Sequence, residues 1–208
     1  RNSKLQNITS TANTLKEEYV KNRDHFADNN TTAVGSLTVT GLIDNENPLA
    51  VGDDETGVDS KTTIDAYGFN DVRVFDASEM KGSVNITAIL SEDVVEKYMN
   101  LGDTASDNSA DNAEFTYKLG TAADKLELTI DGENLAAAGT TTREDFSLSI
   151  AGNGGDDIIK TNITTMTAAG YANSKENANL AINGGEGNDT ITTSGEGDWV
   201  INAGTGND

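Results

Sequence analysis

Apolar residues near the start of the chain fall at Leu5, Ile8, Ala12, Leu15, Tyr19 and Phe26, spacings that suit one face of a helix. An N-terminal amphipathic helix over residues 3–27 is therefore expected, within a first segment 1–30 that closes on the polar stretch 28–32. From about residue 34 the pattern changes to strict alternation. Residues 36–40, 71–75, 83–87 and 125–130 each place Val, Leu, Ile or Phe at every second position, the period of a half-buried strand. A short helix is expected at residues 91–100, where Ser91 can cap and Glu92 and Asp93 suit the positive helix start. The segment 31–145 thus reads as a β-rich region with a helical insertion. Its acidic stretches 52–57 and 102–112 read as solvated loops, since neither has the ligand spacing of an EF-hand.

Beyond residue 146 the chain repeats, and an internal repeat outranks other signals in assigning architecture. Ile182-Asn183-Gly184-Gly185-Glu186-Gly187-Asn188-Asp189-Thr190-Ile191 is copied nineteen residues later, from Ile201 to Asp208. A looser copy runs from Ile150 to Ile159, with Gly152, Gly155, Asp157 and Ile159 aligned on Gly184, Gly187, Asp189 and Ile191. Glycine suits turn positions that need positive φ, and an Asp at the end of a turn adds a carboxylate beside backbone carbonyls, a donor set for a hard cation. The residue two after the Asp is expected to fill the interior, here Ile159, Ile191 and Val200. Residues 119–126, from Leu119 to Leu126, read as a plain β-turn in preference to a more degraded copy.

This segment resembles the nonapeptide repeats of the RTX family, Gly-Gly-x-Gly-x-Asp-x-apolar-x. The resemblance implies a calcium-filled parallel β-roll over residues 146–208, in a mainly β, solenoid-like chain. It also implies Ca2+ as cofactor, with carboxylates from Asp157, Asp189, Asp198 and Asp208. Carbonyls would come from the turn positions Gly152, Asn153, Gly155, Gly184, Gly185, Gly187, Gly195, Gly197, Gly204 and Gly206. Asp189 and Asp208 would lie on one side of the roll and Asp198 on the other. This sequence departs from the family's pattern at Asn153, at Thr193-Ser194, and in one extra residue between Asp198 and Asp208, and residues 161–181 interrupt the array.

Charge agrees with a cation-dependent fold. Thirty-five acidic residues against 14 basic ones give a net charge of −21, which opposes compaction until something positive neutralises it. No basic cluster offers a nucleic-acid surface. Cys is absent and His25 is the single histidine, so disulfides, thiolate zinc sites and imidazole-based chemistry are set aside. Neither His-Glu-x-x-His nor Gly-x-Ser-x-Gly occurs, and no enzyme is expected. No apolar run is long enough for a membrane span, and no secretion signal opens the chain. The start at Arg1 and the stop at Asp208, within a repeat, suggest a piece of something longer.

Between non-catalytic classes, Asp76-Ala77-Ser78 followed by Gly82 and a strand is similar to stretches of RTX-type surface-layer proteins. That resemblance implies a secreted, cell-surface structural subunit exported by type I secretion, with self-association into a lattice and cell-surface polysaccharide as an anchoring partner. In the family, low cytosolic calcium keeps the repeats unfolded for export and external calcium folds them. A calcium-rigidified module of a large RTX adhesin is the alternative, ahead of the non-catalytic part of an RTX enzyme or toxin.

Overall fold

The structure is a computed structural model that describes residues 3–5, 7–8, 17–21, 36–40, 50–51, 62–63, 68–90, 114–130, 146–164, 178–195 and 197–208. Sixteen strands occupy them and no helix does. The first seven are β1 (Ser3–Leu5), β2 (Asn7–Ile8), β3 (Glu17–Lys21), β4 (Leu37–Val39), β5 (Ala50–Val51), β6 (Thr62–Thr63) and β7 (Gly68–Asn70). The remainder are β8 (Val74–Glu79), β9 (Val84–Leu90), β10 (Phe115–Lys118), β11 (Lys125–Ile130), β12 (Phe146–Ala151), β13 (Ile158–Ile163), β14 (Ala178–Glu186), β15 (Thr190–Gly195) and β16 (Trp199–Thr205).

Two parallel sheets account for all but the small antiparallel β5–β6 pair. One runs β1-β4-β9-β11-β13-β15, with β7 also paired to β9 and β2 to β7; the other runs β16-β14-β12-β10-β8-β3. From β8 onward successive strands alternate between the sheets, so each coil contributes one strand to each. Both sheets run on across residue 145, because β10 pairs with β12 and β11 with β13.

The alternating sequences form strands because each has one face to bury. β11 and β12 follow the pattern strictly, with Leu126, Leu128, Ile130 and Phe146, Leu148, Ile150 buried between half-exposed neighbours. In-register stacking then puts like on like. Phe75 pairs with Tyr117, Tyr117 with Ile150, and Ile150 with Ile182; opposite them Ile86, Leu126, Ile159 and Ile191 form a second column. Inward residues of both sheets make one core. Its aromatic part gathers around Phe69, Phe75 and Tyr117, with ring centroids 5.3 and 6.2 Å apart, and around Phe115 and Phe146 at 5.0 Å. The buried Tyr117 hydroxyl donates to the Val72 carbonyl at 2.7 Å, which lets a polar ring end sit inside.

Three expectations need comment. The N-terminal helix is not found: the described residues there are β1, β2 and β3, paired with β4, β7 and β8 respectively. A sheet edge offers unpaired N–H and C=O groups, and docking on it outweighs a helical apolar spacing that contains Thr, Ile and Val. The strand expected at 71–75 begins only at Val74, since Asp71 is left-handed at φ 59° and turns the chain between β7 and β8. The helix expected at 91–100, both acidic loops and His25 lie outside the described residues.

Leu126 sits at the centre of a core column with no exposed surface. Leu126→Ala should lower unfolding free energy by about 2–5 kcal/mol, measured by urea denaturation in calcium-containing buffer. A change within error would contradict this core.

Candidate functional site

The two edges of the stack differ. On one edge the chain passes from the second sheet to the first through turns of constant build, 152–157 and 184–189, a build repeated at 203–208 after β16; on the other it returns through connections of very different length. Sequence separations between stacked turn residues are 40, 33, 32 and 19 along the chain, and the variation falls on the return edge. The turns therefore stack even though the coils are unequal.

Glycine permits this at the tightest points. Gly185 and Gly187 have φ of 111° and 129°, and a Cβ on Gly187 would lie 2.1 Å from the Gly155 carbonyl oxygen. Asn153 takes φ 71° where the repeat has Gly, a conformation Asn tolerates better than other side chains. Turn backbones pair directly: the Gly155 N–H donates to Glu186 O at 2.7 Å, Glu186 N–H to Asn153 O at 2.9 Å, and Gly187 N–H to Thr205 O at 2.9 Å.

An aspartate closes each turn, and these aspartates form a ladder. Oδ1 of Asp124 accepts the Val84 N–H at 2.7 Å, Oδ1 of Asp157 the Asp124 N–H at 2.9 Å, Oδ1 of Asp189 the Asp157 N–H at 2.9 Å, and Oδ1 of Asp208 the Asp189 N–H at 2.9 Å. Asp124, Asp157 and Asp189 are all buried. A second ladder runs beside it in the opposite sense: Oδ1 of Asp156 accepts the Asn188 N–H at 2.8 Å, and Oδ1 of Asn188 the Asn207 N–H at 2.9 Å. One set of side chains points toward the preceding turn and its neighbour toward the following one.

The remaining carboxylate oxygens carry the chemistry. Oδ2 of Asp157 and Oδ2 of Asp189 are buried and have no hydrogen-bond partner. Each faces the glycine that opens its own turn. The position a Cβ would take on Gly152 is 2.5 Å from Asp157 Oδ2 and 2.1 Å from the Gly184 carbonyl oxygen; the position on Gly184 is 2.5 Å from Asp189 Oδ2 and 2.2 Å from the Ala203 carbonyl oxygen. At both turns one carboxylate oxygen and one carbonyl oxygen thus close around the same glycine, a cradle of two oxygens that only the absence of a side chain allows. Among the described residues no group of three or more His, Cys, Asp or Glu side chains converges, so carbonyl oxygens or water would have to supply most of any ligand shell.

Without a cation Asp157 and Asp124 are costly as anions. Burial, together with the charges of Asp124, Asp189 and Asp156, pushes Asp157 up to about 8 against the hydrogen bond from the Asp124 N–H. Burial raises Asp124 to about 6, opposed by its hydrogen bonds from Val84 and Gly120.

The structure brings Asp157, Asp189 and Asp208 onto one edge with Gly152, Asn153, Gly155, Gly184, Gly185, Gly187, Gly204 and Gly206. Asp198, Gly195 and Gly197 lie at the opposite edge, between β15 and β16. Val200 does not fill the interior: it is 74% exposed, while Trp199 packs against the core. The register explains this, since Trp199 and Ile201 pair with the inward Leu180 and Ile182, leaving Val200 on the outer face. Asp124 was not anticipated as a member of the set. Residues 119–124 are a turn of the same stack, in register with 152–157, and the Asp-x-apolar pattern of Asp124-Lys125-Leu126 is the signal that marks it. Compared with protein-family models, curated proteins and solved structures, the chain matches none.

Two measurements test this geometry. Gly184→Ala would drive a methyl into the Ala203 carbonyl and should destabilise by about 1–3 kcal/mol in urea unfolding, whereas Gly154→Ala, with no atom nearer than 3.9 Å, should be close to neutral. Equal effects would contradict the cradle. The second concerns pH. A carboxyl whose folded pKa exceeds its unfolded value binds its proton more tightly in the fold. The metal-free protein should therefore be stabilised by Asp124 most below the ordinary value of 3.8, and lose that stability as pH rises toward about 6. In chelator the urea midpoint should fall between about pH 4 and pH 6; a rising midpoint would contradict the burial of this carboxyl.

Proposed function

We propose that this chain belongs to an exported, non-catalytic β-roll protein whose turn edge is stapled by calcium and which assembles into a layer on the cell surface. The observation that carries the calcium reading is the pair of orphaned, buried Oδ2 atoms at Asp157 and Asp189. Each faces a glycine cradle that already contains a backbone carbonyl. The chemistry of that donor set fits a hard divalent cation: all ligands are oxygen, and the chain has no thiol to favour a softer metal. Calcium bound there would supply the positive charge that the ladder lacks, and the surrounding residues would do the rest. Asp157 and Asp189 hold the turns in register through Oδ1 while Oδ2 faces the cradle; the Gly184 and Ala203 carbonyls add the second oxygen.

Export and assembly rest on broader grounds. A net charge of −21 opposes compaction of the metal-free chain, which suits passage through a secretion channel, and a calcium-rich exterior would then complete the fold. The Asp76-Ala77-Ser78 segment, in which Asp76 accepts from both the Ser78 N–H at 2.9 Å and its hydroxyl at 2.6 Å, favours a surface-layer subunit over an adhesin module by its likeness to such proteins. The partner in that reading is a further copy of the protein, with surface polysaccharide as anchor.

Calcium titration of chelator-treated protein, followed by circular dichroism, light scattering and ion counting, tests both parts. A gain of β signal with growing particle size is expected; β signal without association would favour the adhesin module, and no response would sink the calcium reading. Asp189→Ala should remove about one bound ion and, at calcium a hundredfold above Kd, about 2.7 kcal/mol of stabilisation. An unchanged ion count would reject that residue as a ligand.

A further inference from the structure

The turn from Leu119 to Asp124 shares the register of its neighbours but not their build. Lys118 pairs with Ala151 and Ala151 with Asn183, so Leu119 stands where Gly152 and Gly184 stand, and its side chain is fully buried in the core. The glycine of this turn, Gly120, comes one position later, and the place of its Cβ lies 3.2 Å from Asp124 Oδ2 and 2.8 Å from the Met80 carbonyl oxygen, a looser approach than at Gly152 and Gly184. Asp124 Oδ2, the atom orphaned in Asp157 and Asp189, accepts the Gly120 N–H at 2.6 Å, and Oδ1 accepts from Val84. Both oxygens of Asp124 are thus satisfied by the protein itself.

The core changes in step with the turns. Along one inward column Ala88 and Leu128 give way to Thr161 and Thr193; along another Leu90, Ile130 and Ile163 end at Gly195. On the other sheet the aromatic pair Phe75 and Tyr117 is followed by Ile150 and Ile182. On the first sheet the inward side chains after β11 thus become smaller toward the C-terminal coils, where the orphaned oxygens lie. Asn153 sits at the junction: its Nδ2 donates to the Leu119 carbonyl at 2.7 Å, tying the first cradle-bearing turn to the self-satisfied one.

We propose that β7 to β12, with the Leu119–Asp124 turn, form a cation-independent platform on which β13 to β16 assemble when calcium binds. The inference rests on the calcium reading above and adds to it a division of the stack: the metal-free chain is folded in its middle and unfolded toward its C-terminal coils. Calcium then extends an existing structure coil by coil, with Asn153 as the first stitch, so no new nucleus has to form.

Hydrogen exchange on the whole chain, in calcium and in chelator, tests this. Amides of β9 and β11 should be protected in both conditions. Those of β14 to β16 should lose protection in chelator by roughly a hundredfold or more, the factor that one ion at a hundred times its Kd contributes. If β9 and β11 lose protection in chelator, alone or together with β14 to β16, the platform is wrong while the calcium reading stands. If β14 to β16 keep their protection in chelator, the calcium reading fails and the division fails with it. The Asp124→Asn protein supplies a separate arm: it should weaken protection of β9 and β11 in chelator yet bind as many calcium ions as the parent. Loss of an ion on that substitution would make Asp124 a ligand and overturn the proposal.

Discussion

Stacking parallel coils in register sets like groups on like groups, and on the turn edge of this protein the like groups are carboxylates. Asp124, Asp157 and Asp189 are buried one above another; lost hydration opposes ionisation of Asp124 and Asp157, and at Asp157 the neighbouring carboxylates add to it. What keeps the ladder together is the N–H of each preceding turn, which meets Oδ1 at 2.7–2.9 Å. That bond uses half of each carboxylate. How the other half is satisfied decides how the rest of the stack must be built, because a buried, unpaired oxygen has to be offset either by the protein or by a bound cation.

Both solutions occur in one chain. At Asp124 the protein supplies the Gly120 N–H, and the coil around it is packed with Phe75, Tyr117, Leu126 and Leu128. At Asp157 and Asp189 the second oxygen is left to something else, and the interior beneath thins to Thr161, Thr193 and Gly195. On the first sheet smaller inward side chains therefore accompany the unsatisfied carboxylates. The glycines at 152 and 184 are the local mark of the second solution, and Leu119 is the mark of the first.

Much of this was legible in the sequence, and its limits have physical reasons. The alternation in 83–87 and 125–130 marks strands because a sheet with one dry face admits no other period. The copies around Asp157, Asp189 and Asp208 are visible because each turn needs glycine where a carbonyl approaches. Asp124 was hidden by the same logic: a turn that satisfies its own carboxylate has no need of the glycines that make the repeat recognisable, so Leu119, Thr121, Ala122 and Ala123 conceal it. The N-terminal segment was misread because the spacing from Leu5 to Phe26 carries no information about the sheet edges that β1 to β3 would meet. Val200 was misplaced through a single extra residue, and in a structure of period two a single residue reverses the face.

The contrast between the two edges has an evolutionary consequence. Turns at 119–124, 152–157 and 184–189 tolerate little change in length, since each is bonded to the next through backbone and side chain alike. The return connections differ in length from coil to coil, and lengthening a connection costs only about 0.6 kcal/mol for each doubling. A lineage of such proteins can therefore remodel one rim freely while the other stays fixed, so new surface specificities can arise by insertion on the return rim without disturbing the ladder that holds the stack together.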